Sequence, residues 1–260
     1  MSEAVDEALL AKYRELVYSR YGIHYSMDKM EVLRLKLEKL AYTREYDLGE
    51  YFVRLNAGDP DATDEFLHAI TVGHTFFFRE GEHFQRLAAD IRGRRVSRPV
   101  IWCAASSTGE EPYSIVITLL EQGVSDFLVL SSDVNPGALR FMNRGEYVDG
   151  RLQELSPAIR ERYFLKLGAD TFRVRAGLRS HLRIKRLNLQ DHLDFQEKFD
   201  YVFCRNVMIY FDEAARRRAV NNVVRNLKKD GLLFVGHTEA ILSLPPTMQR
   251  DGAACFRKLA

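Results

Sequence analysis

Cysteine is scarce in this sequence, which has three cysteines among its 260 residues. The number is odd, and Cys103, Cys204 and Cys255 each lie in an apolar stretch that is typical of a strand. This pattern argues against a disulfide framework and against a zinc site, and it predicts buried thiols in a reducing compartment. We therefore expect neither a structural disulfide nor a bound metal.

Long apolar runs and an excess of charge of one sign are also missing. No apolar run approaches the ~20 residues that a membrane-spanning helix needs. The first residues, with Glu3, Asp6 and Glu7, do not resemble a signal peptide. The formal net charge of +2 gives no reason to expect a nucleic acid or an anionic membrane as a partner. Together these absences predict a cytoplasmic protein.

The pattern of residues 101–114 predicts a strand, a tight turn of small residues and then a helix. Val100 and Ile101 are apolar, as in a buried strand, and Ser106 is a candidate helix cap. Pro112 stands where a first helical turn tolerates proline. In an open α/β sheet, a turn of this kind follows the first strand and forms part of a nucleotide pocket.

This turn differs from a phosphate-binding loop. It contains one glycine, Gly109, and then Glu110 and Glu111, whereas a phosphate loop needs several glycines and no nearby carboxylate. A carboxylate here favours a ligand with a cationic end, such as an ammonium or a sulfonium, and S-adenosylmethionine carries both. The alternative is that the two glutamates only stabilise the positive end of the helix dipole.

Residues 1–70 have apolar positions at helical spacing and no convincing strand, which predicts a small all-α domain of about four helices. The second helix carries cations beside its apolar stripe: Lys29, Arg34, Lys36 and Lys39. Such a face is usually only solvated. The alternative is a docking surface for an acidic partner.

Three consecutive phenylalanines, Phe76, Phe77 and Phe78, come directly before Arg79. This run is too apolar for a loose linker and too crowded for an exposed helix. We expect it to pack against the α/β domain, which would direct Thr75 and Arg79 into a cleft.

From about residue 99, apolar strands alternate with helices. One strand ends at Asp133, about two dozen residues after Gly109, where an acid can bind ribose hydroxyls. Arg205 and Asn206 directly follow another buried strand, and polar residues at such a strand end usually belong to a site. His237 follows a later strand and is predicted to be a structural turn residue.

Two segments, residues 171–175 and 182–187, alternate apolar and basic residues, which is the period of half-exposed strands. They predict a small antiparallel β insert at about residues 160–187. The basic residues at its edge are also explained without any function, because lysines and arginines protect a solvated hairpin against edge-to-edge aggregation.

Five motifs together resemble those of one known family. They are residues 75–80, 102–114, 132–133, 203–211 and 231–239. In this order they resemble the chemotaxis receptor methyltransferases (the CheR family), cytoplasmic bacterial enzymes that esterify glutamates on chemoreceptor helices. The resemblance covers nearly the whole chain.

The resemblance implies an α/β fold with three parts. A small all-α domain, residues 1–70, would precede residues 71–98, a linker and helix that close over the cofactor. Residues 99–260 would form a Rossmann-like S-adenosylmethionine-dependent methyltransferase domain that carries the antiparallel β insert.

The resemblance also implies which residues hold the cofactor. Glu111 is expected to bind the amino group of S-adenosylmethionine, and Asp133 is expected to bind its ribose. Asn188 and Leu189 match positions that line the adenine pocket. Asn206 matches a position at a strand end beside the cofactor.

A second group of residues is implied at the reacting end. Thr75 and Arg79 match linker residues that close over the methionine end of the cofactor. Arg79 with Tyr210 would lie near the reacting methyl, and Arg205, also beside the cofactor, would help to orient the substrate carboxylate. Because receptor methylation helices are rich in glutamate, the resemblance then favours a docking surface on the basic second helix.

Two departures from the family pattern limit what carries over. Gly73 stands where many members have an asparagine that contacts the cofactor. The turn at Gly168, Ala169 and Asp170 is shorter than in members that bind a C-terminal receptor peptide, which predicts an enzyme independent of that tether. Two alternatives remain: a methyltransferase acting on a small molecule or nucleic acid, and a catalytically weak protein that senses the cofactor.

Overall fold

The computed structural model describes residues 6–71, 73–239 and 244–259. The acidic residue Glu3, used above in the prediction about a signal peptide, lies outside this part. The helices are α1 (Glu7–Tyr21), α2 (Met30–Arg44), α3 (Leu48–Asn56), α4 (Pro60–Ile70), α5 (Glu82–Arg94), α6 (Glu110–Glu121), α7 (Pro136–Arg144), α8 (Pro157–Tyr163), α9 (Ala176–Arg179) and α10 (Glu213–Asn226). The strands are β1 (Val100–Ala104), β2 (Leu128–Asp133), β3 (Glu146–Val148), β4 (Phe164–Lys166), β5 (Thr171–Val174), β6 (Leu182–Arg186), β7 (Phe199–Phe203), β8 (Leu227–Phe234), β9 (Met248–Gly252) and β10 (Cys255–Lys258).

The N-terminal region consists of α1 to α4, which confirms the predicted helical character. Three of these helices begin at aspartates whose carboxylates accept a backbone N–H: Asp6 before α1, Asp47 before α3 and Asp59 before α4. The helices share a core of buried apolar residues that includes Tyr13 and Phe66. Local capping signals and one common core therefore explain this region.

A seven-stranded sheet in the order β6-β2-β1-β7-β8-β10-β9 forms the second region. The strands from β6 to β8 pair in parallel, and β10 and β9 add an antiparallel edge. Ile101 and Cys103 of β1 pack into the core on one face, while Val100 and Trp102 pack into the core on the other. The α/β fold is confirmed, and β1 lies at the centre of the parallel strands.

The predicted pairing between residues 171–175 and 182–187 is wrong. Strand β6 runs parallel to β2, with Val129 opposite Leu182 and Asp133 opposite Arg186. The insert is indeed a small antiparallel sheet, but its strands are β3, β5 and β4, so it begins near residue 146. Alternating apolar and basic residues indicate only that a strand is half-exposed. The pattern did not distinguish the insert from the main sheet, because an edge strand of the main sheet is half-exposed too.

The linker packs as its phenylalanines predict. Phe77 is fully buried and meets the rings of Tyr147 and Phe164 edge to face, with centroids 5.2 Å and 5.5 Å away. The backbone N–H of Phe78 donates to Ser114 Oγ of α6 at 2.9 Å. These contacts fix the linker against the α/β region.

The helical region also contacts the loops that follow the parallel strands. Ile23 and Phe211 form an isolated β-bridge, and the His24 N–H donates to the Tyr210 carbonyl at 2.8 Å. Asn188 Nδ2 donates to the Arg20 carbonyl at 2.7 Å. The N-terminal helices therefore cover the carboxyl ends of the parallel strands. All three cysteines are free and buried, as predicted, and no helix in the described ranges could cross a membrane.

Candidate active site

A cavity of about 550 Å³ lies between the N-terminal helices and the carboxyl ends of β1, β2 and β7. It is lined by every residue for which the sequence predicts a cofactor-binding or catalytic role: Thr75, Arg79, Glu111, Asp133, Asn188, Leu189, Arg205, Asn206 and Tyr210. Because parallel strands present their carboxyl ends at one edge of a sheet, residues far apart in the chain meet here.

The turn between β1 and α6 has a backbone that few sequences tolerate. Gly109 has φ +100°, and a Cβ there would lie 2.5 Å from Met142 Cγ and 2.9 Å from the Tyr147 hydroxyl oxygen. Ser107, at φ +49°, donates its backbone N–H to Asp133 Oδ2 at 2.8 Å. The turn thus approaches the end of β2 closely and positions an acid at the cavity wall.

Asp133 is held mainly by backbone groups. Its Oδ1 accepts the Asn135 N–H at 2.9 Å, and its Oδ2 accepts the Ser107 N–H. Burial raises the pKa of Asp133, although these backbone hydrogen bonds act in the opposite direction. A carboxylate has about four acceptor positions, so Asp133 keeps acceptor capacity for ribose hydroxyls.

The structure separates the two adjacent glutamates of α6. Glu110 is fully buried and does not line the cavity; Thr108 Oγ1 donates to it at 2.6 Å and Arg151 forms an ion pair with it. Glu111 lines the cavity and accepts the Cys103 thiol at 3.1 Å. Of these two glutamates, Glu111 is the one that faces the cavity.

Glu111 also has a cation beside it within the protein. Arg205 Nη1 donates to Glu111 Oε2, while its Nη2 donates to the Arg79 carbonyl and to Glu80 Oε2, the latter at 3.1 Å. The Arg205 side chain is 0% exposed. Burial lowers the pKa of Arg205, but Glu111 and Glu80 outweigh burial and hold it above its ordinary value. Arg205 is thus a fixed cation shared by two carboxylates.

Arg79 and Tyr210 lie on the wall formed by the linker and the segment after β7. Arg79 Nη1 donates to the His74 carbonyl at 2.9 Å, and its guanidinium carbon is 5.7 Å from the Phe76 ring centroid. Tyr210 is half-buried, and burial raises its pKa while the charge of Arg79 opposes the shift. The two side chains are near enough to interact electrostatically.

Sequence reasoning missed two acidic residues behind this wall, Glu80 and Glu239. Glu239 accepts backbone N–H groups of Asn206 at 2.8 Å, Met208 at 2.7 Å and Gly236 at 2.6 Å. It therefore holds Asn206 in its left-handed conformation, φ +56°. Both glutamates belong to motifs that were noticed, but no local pattern shows which distant backbone a carboxylate will meet.

His237 does not line the cavity. Its Nε2 lies 2.8 Å from Glu82 Oε1, and its backbone N–H donates to Glu80 Oε1 at 3.3 Å. These contacts fit the predicted structural turn.

The four cations predicted for substrate docking fall into two groups. Lys29 and Lys36 line the cavity, Lys39 is exposed on the same side of α2, and Lys36 Nζ donates to the Ile70 carbonyl at 2.6 Å. Burial lowers the pKa of Lys36. Arg34 lies on the opposite flank of the buried stripe, where it pairs with Glu7 and, at 3.3 Å, with Glu31.

The donor set fits S-adenosylmethionine. An acid that faces the cavity, Glu111, suits its ammonium, and a second acid, Asp133, suits its ribose. The buried Leu189 side chain offers an apolar contact for the adenine ring. These residues come from different strand ends that share one cavity.

Comparison with known proteins agrees with this geometry. The family model described as "CheR methyltransferase, SAM binding domain" matches residues 73–253. Chemotaxis protein methyltransferase 2 of Pseudomonas aeruginosa is 37% identical over 87% of this chain and 84% of its own length. The chemotaxis protein methyltransferase of Salmonella typhimurium is 36% identical over 93% of this chain and 86% of its own.

The solved structures that match this chain are more distant. SAM-bound CalS10, an amino pentose methyltransferase from Micromonospora echinaspora, is 16% identical, with a TM-score of 0.37 over 66% of this chain and 58% of that one. The assignment therefore depends on the family match and the close relatives. The chain belongs to the CheR methyltransferase family and is an S-adenosylmethionine-dependent methyltransferase.

Proposed function

We propose that this enzyme transfers the methyl group of S-adenosylmethionine to glutamate side chains of bacterial chemoreceptors and forms γ-methyl esters there. The observation that carries the proposal is the shared cavity: acids that suit the cofactor lie on its α/β wall, and a basic helix lies on its other wall. The names of the relatives point to the same activity. We infer that it acts in the cytoplasm, where receptor signalling helices lie.

The cofactor would lie across the ends of β1, β2 and β7. Glu111 would accept hydrogen bonds from its ammonium, and Asp133 would accept them from its ribose. Asn188 and Leu189 would border the adenine, and Asn206 would lie beside it. In this arrangement, the helical domain predicted for residues 1–70 and the linker predicted for residues 71–98 would cover a cofactor held by the methyltransferase domain.

The reaction needs alignment more than acid–base catalysis. Bound S-adenosylmethionine supplies an electrophilic methyl on a sulfonium. A glutamate has an ordinary pKa of about 4.3 and is already a carboxylate at neutral pH. Its oxygen forms the new C–O bond in line as the C–S bond breaks, and the electron pair stays on sulfur as a neutral thioether. Near-attack positioning of this kind supplies roughly 7 kcal/mol or more.

Arg79 and Tyr210 would orient the incoming carboxylate. Arg79 would bind one carboxylate oxygen and leave the other free to attack, while Tyr210 would donate a hydrogen bond. Arg205 would contribute indirectly, because its hydrogen bonds fix Glu111 and the carbonyl of Arg79. The linker and the N-terminal helices would exclude water, which matters because a hydrated carboxylate is a weak nucleophile.

The receptor helix would dock on the face of α2 that borders the cavity. This face, with Lys29 directly before the helix, combines the cations Lys36 and Lys39 with exposed apolar side chains: Val32 at 47%, Leu35 at 57% and Tyr42 at 83% exposure. A helix that displays glutamates beside apolar residues is the complementary surface. Arg34, paired with Glu7 and Glu31, would brace α1 against α2 and contribute little to docking.

Receptor binding would not depend on a C-terminal tether peptide. The turn between β4 and β5 consists of residues 167–170, closed by a hydrogen bond of 2.9 Å from the Leu167 N–H to the Thr171 carbonyl. So short a turn offers little surface for a peptide. Calorimetry with a receptor C-terminal pentapeptide tests this, and tight binding would contradict it.

An assay with labelled S-adenosylmethionine and receptor cytoplasmic fragments tests the main proposal. We expect label on receptor glutamates that is released by mild base, since methyl esters are base-labile. Label in a small molecule or nucleic acid would identify a different substrate class. Cofactor binding without any transfer would identify a sensor.

A further inference from the structure

Glu80 lies behind the cavity wall, at the junction of four segments. Its Oε2 accepts Arg205 Nη2 at 3.1 Å, and its Oε1 accepts the His237 N–H at 3.3 Å and Asn206 Nδ2 at 3.4 Å. Its carboxylate also lies 3.6 Å from His83 Nδ1. One side chain thus joins the linker, α5 and the loops that follow β7 and β8.

The linker adopts an uncommon backbone to place Glu80 there. Phe78 and Glu80 have φ of +56° and +55°, in the left-handed region that side chains other than glycine disfavour by roughly 1–2 kcal/mol. As a result, both the Arg79 carbonyl and the Glu80 carboxylate accept hydrogen bonds from Arg205. Strain of this kind persists where the surrounding structure requires it, often at functional sites.

The charges at this point do not cancel. Arg205 contributes one positive charge in a side chain that is 0% exposed, while Glu80 and Glu111 contribute two negative charges at 15% and 14% exposure. The charge of Arg205 lowers the pKa of Glu80, against the effect of burial, so this carboxylate is ionised near neutral pH. The cluster of Glu80, Arg205 and Glu111, which we call the acidic triad, therefore carries one net negative charge.

Glu80 also belongs to a group with the spacing of a metal site. Ligand atoms of Glu80, His83 and His237 all lie within 4.8 Å of one another. However, the Glu80 oxygen nearest His83 already accepts Arg205, and the buried guanidinium would repel a second cation. The geometry therefore favours Arg205, rather than a metal ion, as the cation that Glu80 serves.

We infer that Glu80 is a positioning residue that neutralises the charge of Arg205. The negative charge of Glu111 then remains uncompensated and can bind the ammonium of the cofactor. Without Glu80, Arg205 and Glu111 would form a neutral pair with little attraction for a further cation. With it, the ammonium brings the triad to neutrality. This inference rests on the proposed role of Glu111 and makes Glu80 a determinant of selectivity for ligands that carry the amine.

Calorimetry with two ligands tests the inference on the full chain. S-adenosylhomocysteine carries the ammonium, whereas 5′-methylthioadenosine keeps the nucleoside and sulfur but lacks the amino acid. We expect Glu80→Gln to weaken S-adenosylhomocysteine about tenfold and to change 5′-methylthioadenosine by less than about twofold. Unchanged affinity for both ligands, or equal losses for both, would overturn the inference, since equal losses indicate a merely structural role.

Three further variants make the result specific. Glu82→Gln removes a neighbouring carboxylate that is 55% exposed, pairs with His237 and serves as the matched control, with both affinities expected to stay unchanged. Glu111→Gln tests the underlying proposal: if it leaves S-adenosylhomocysteine binding intact, the role of Glu111 fails. If Glu111→Gln weakens binding and Glu80→Gln does not, only the inference about Glu80 fails.

Glu80→Asp keeps the charge and decides the matter if Glu80→Gln does not fold. The quantity to compare is the affinity for S-adenosylhomocysteine divided by the affinity for 5′-methylthioadenosine. We expect this ratio for Glu80→Asp to stay within about threefold of its value in the unaltered protein. A ratio as low as that of Glu111→Gln would show that charge at this position is not what matters.

Discussion

The two walls of the cavity use positive charge in different ways. On the α/β wall, Arg205 is completely buried and bound by two carboxylates. On the helical wall, Lys29 and Lys39 are exposed to water beside apolar side chains. A buried, paired charge fixes geometry and is costly to disturb, whereas exposed charges attract a partner weakly and are screened by salt. The first arrangement suits the fixed placement of a small cofactor, and the second suits weak, reversible docking of a macromolecule.

Arg79→Ala should produce the largest effect, because Arg79 lines the cavity and would orient the reacting carboxylate. We expect the single-turnover rate of methyl transfer to fall about 100-fold or more, as when one positioning donor is removed from an active site. S-adenosylhomocysteine affinity by calorimetry should change by less than about threefold. Arg98→Ala, at an arginine 63% exposed beside Asp126, is the control. Equal losses in rate and affinity would make Arg79 a cofactor ligand instead.

The buried network should make stability depend on pH through His83. This side chain is 1% exposed, and burial, helped by the charge of Arg205, lowers its pKa to about 4. The unfolded chain, with a histidine pKa of about 6.5, binds this proton more readily, so stability falls as pH drops from about 6.5 to about 4. Between pH 7 and pH 4.5 we expect a loss on the order of 2 kcal/mol.

Urea unfolding at pH 7 and pH 4.5 measures this loss. Carboxylates also titrate in that range, so the test compares the unaltered protein with His83→Gln, which should lose less stability between the two pH values. Identical losses in both proteins would show that folding does not lower the pKa of His83.

The exposed wall should show the smallest effect and the greatest sensitivity to salt. The double variant Lys29→Ala with Lys39→Ala should raise KM for receptor fragments by roughly three- to tenfold at low salt and leave kcat nearly unchanged. The difference should shrink above ~0.1 M salt, where exposed charges are screened within about 10 Å. Lys12→Ala, at an exposed lysine of α1, is the matched control. Receptor KM values that do not depend on salt would exclude electrostatic docking.

Much of the α/β wall could be predicted because its signals are local. The small-residue turn before α6, the acid that ends β2 and the polar pair after β7 each follow a recognisable strand, and such ends converge in a parallel sheet. The structure brings Glu111, Asp133 and Arg205 to one cavity accordingly.

Long-range partners could not be predicted in the same way. Alternation in residues 182–187 indicates a half-exposed strand, but it does not say whether the neighbour is β5 or β2. Likewise, a basic helix shows where cations lie and not that Arg34 pairs with Glu7. Glu239 offered no separate signal, because its partners are backbone N–H groups.

The sequence alone determined the helical character of the N-terminal region, the alternation of strands and helices after residue 99, the acids and arginine at the strand ends, and the family, since these depend on neighbouring residues and on periodicity. The tertiary structure decided which charges face one another: Glu80 with Arg205, Arg34 with Glu7, and Glu239 with the loop after β7. Glu80 and Arg205 are far apart in the chain, and they meet only because the buried Phe77 fixes the linker against the sheet region. Their pairing results from tertiary packing, and local sequence patterns do not predict it.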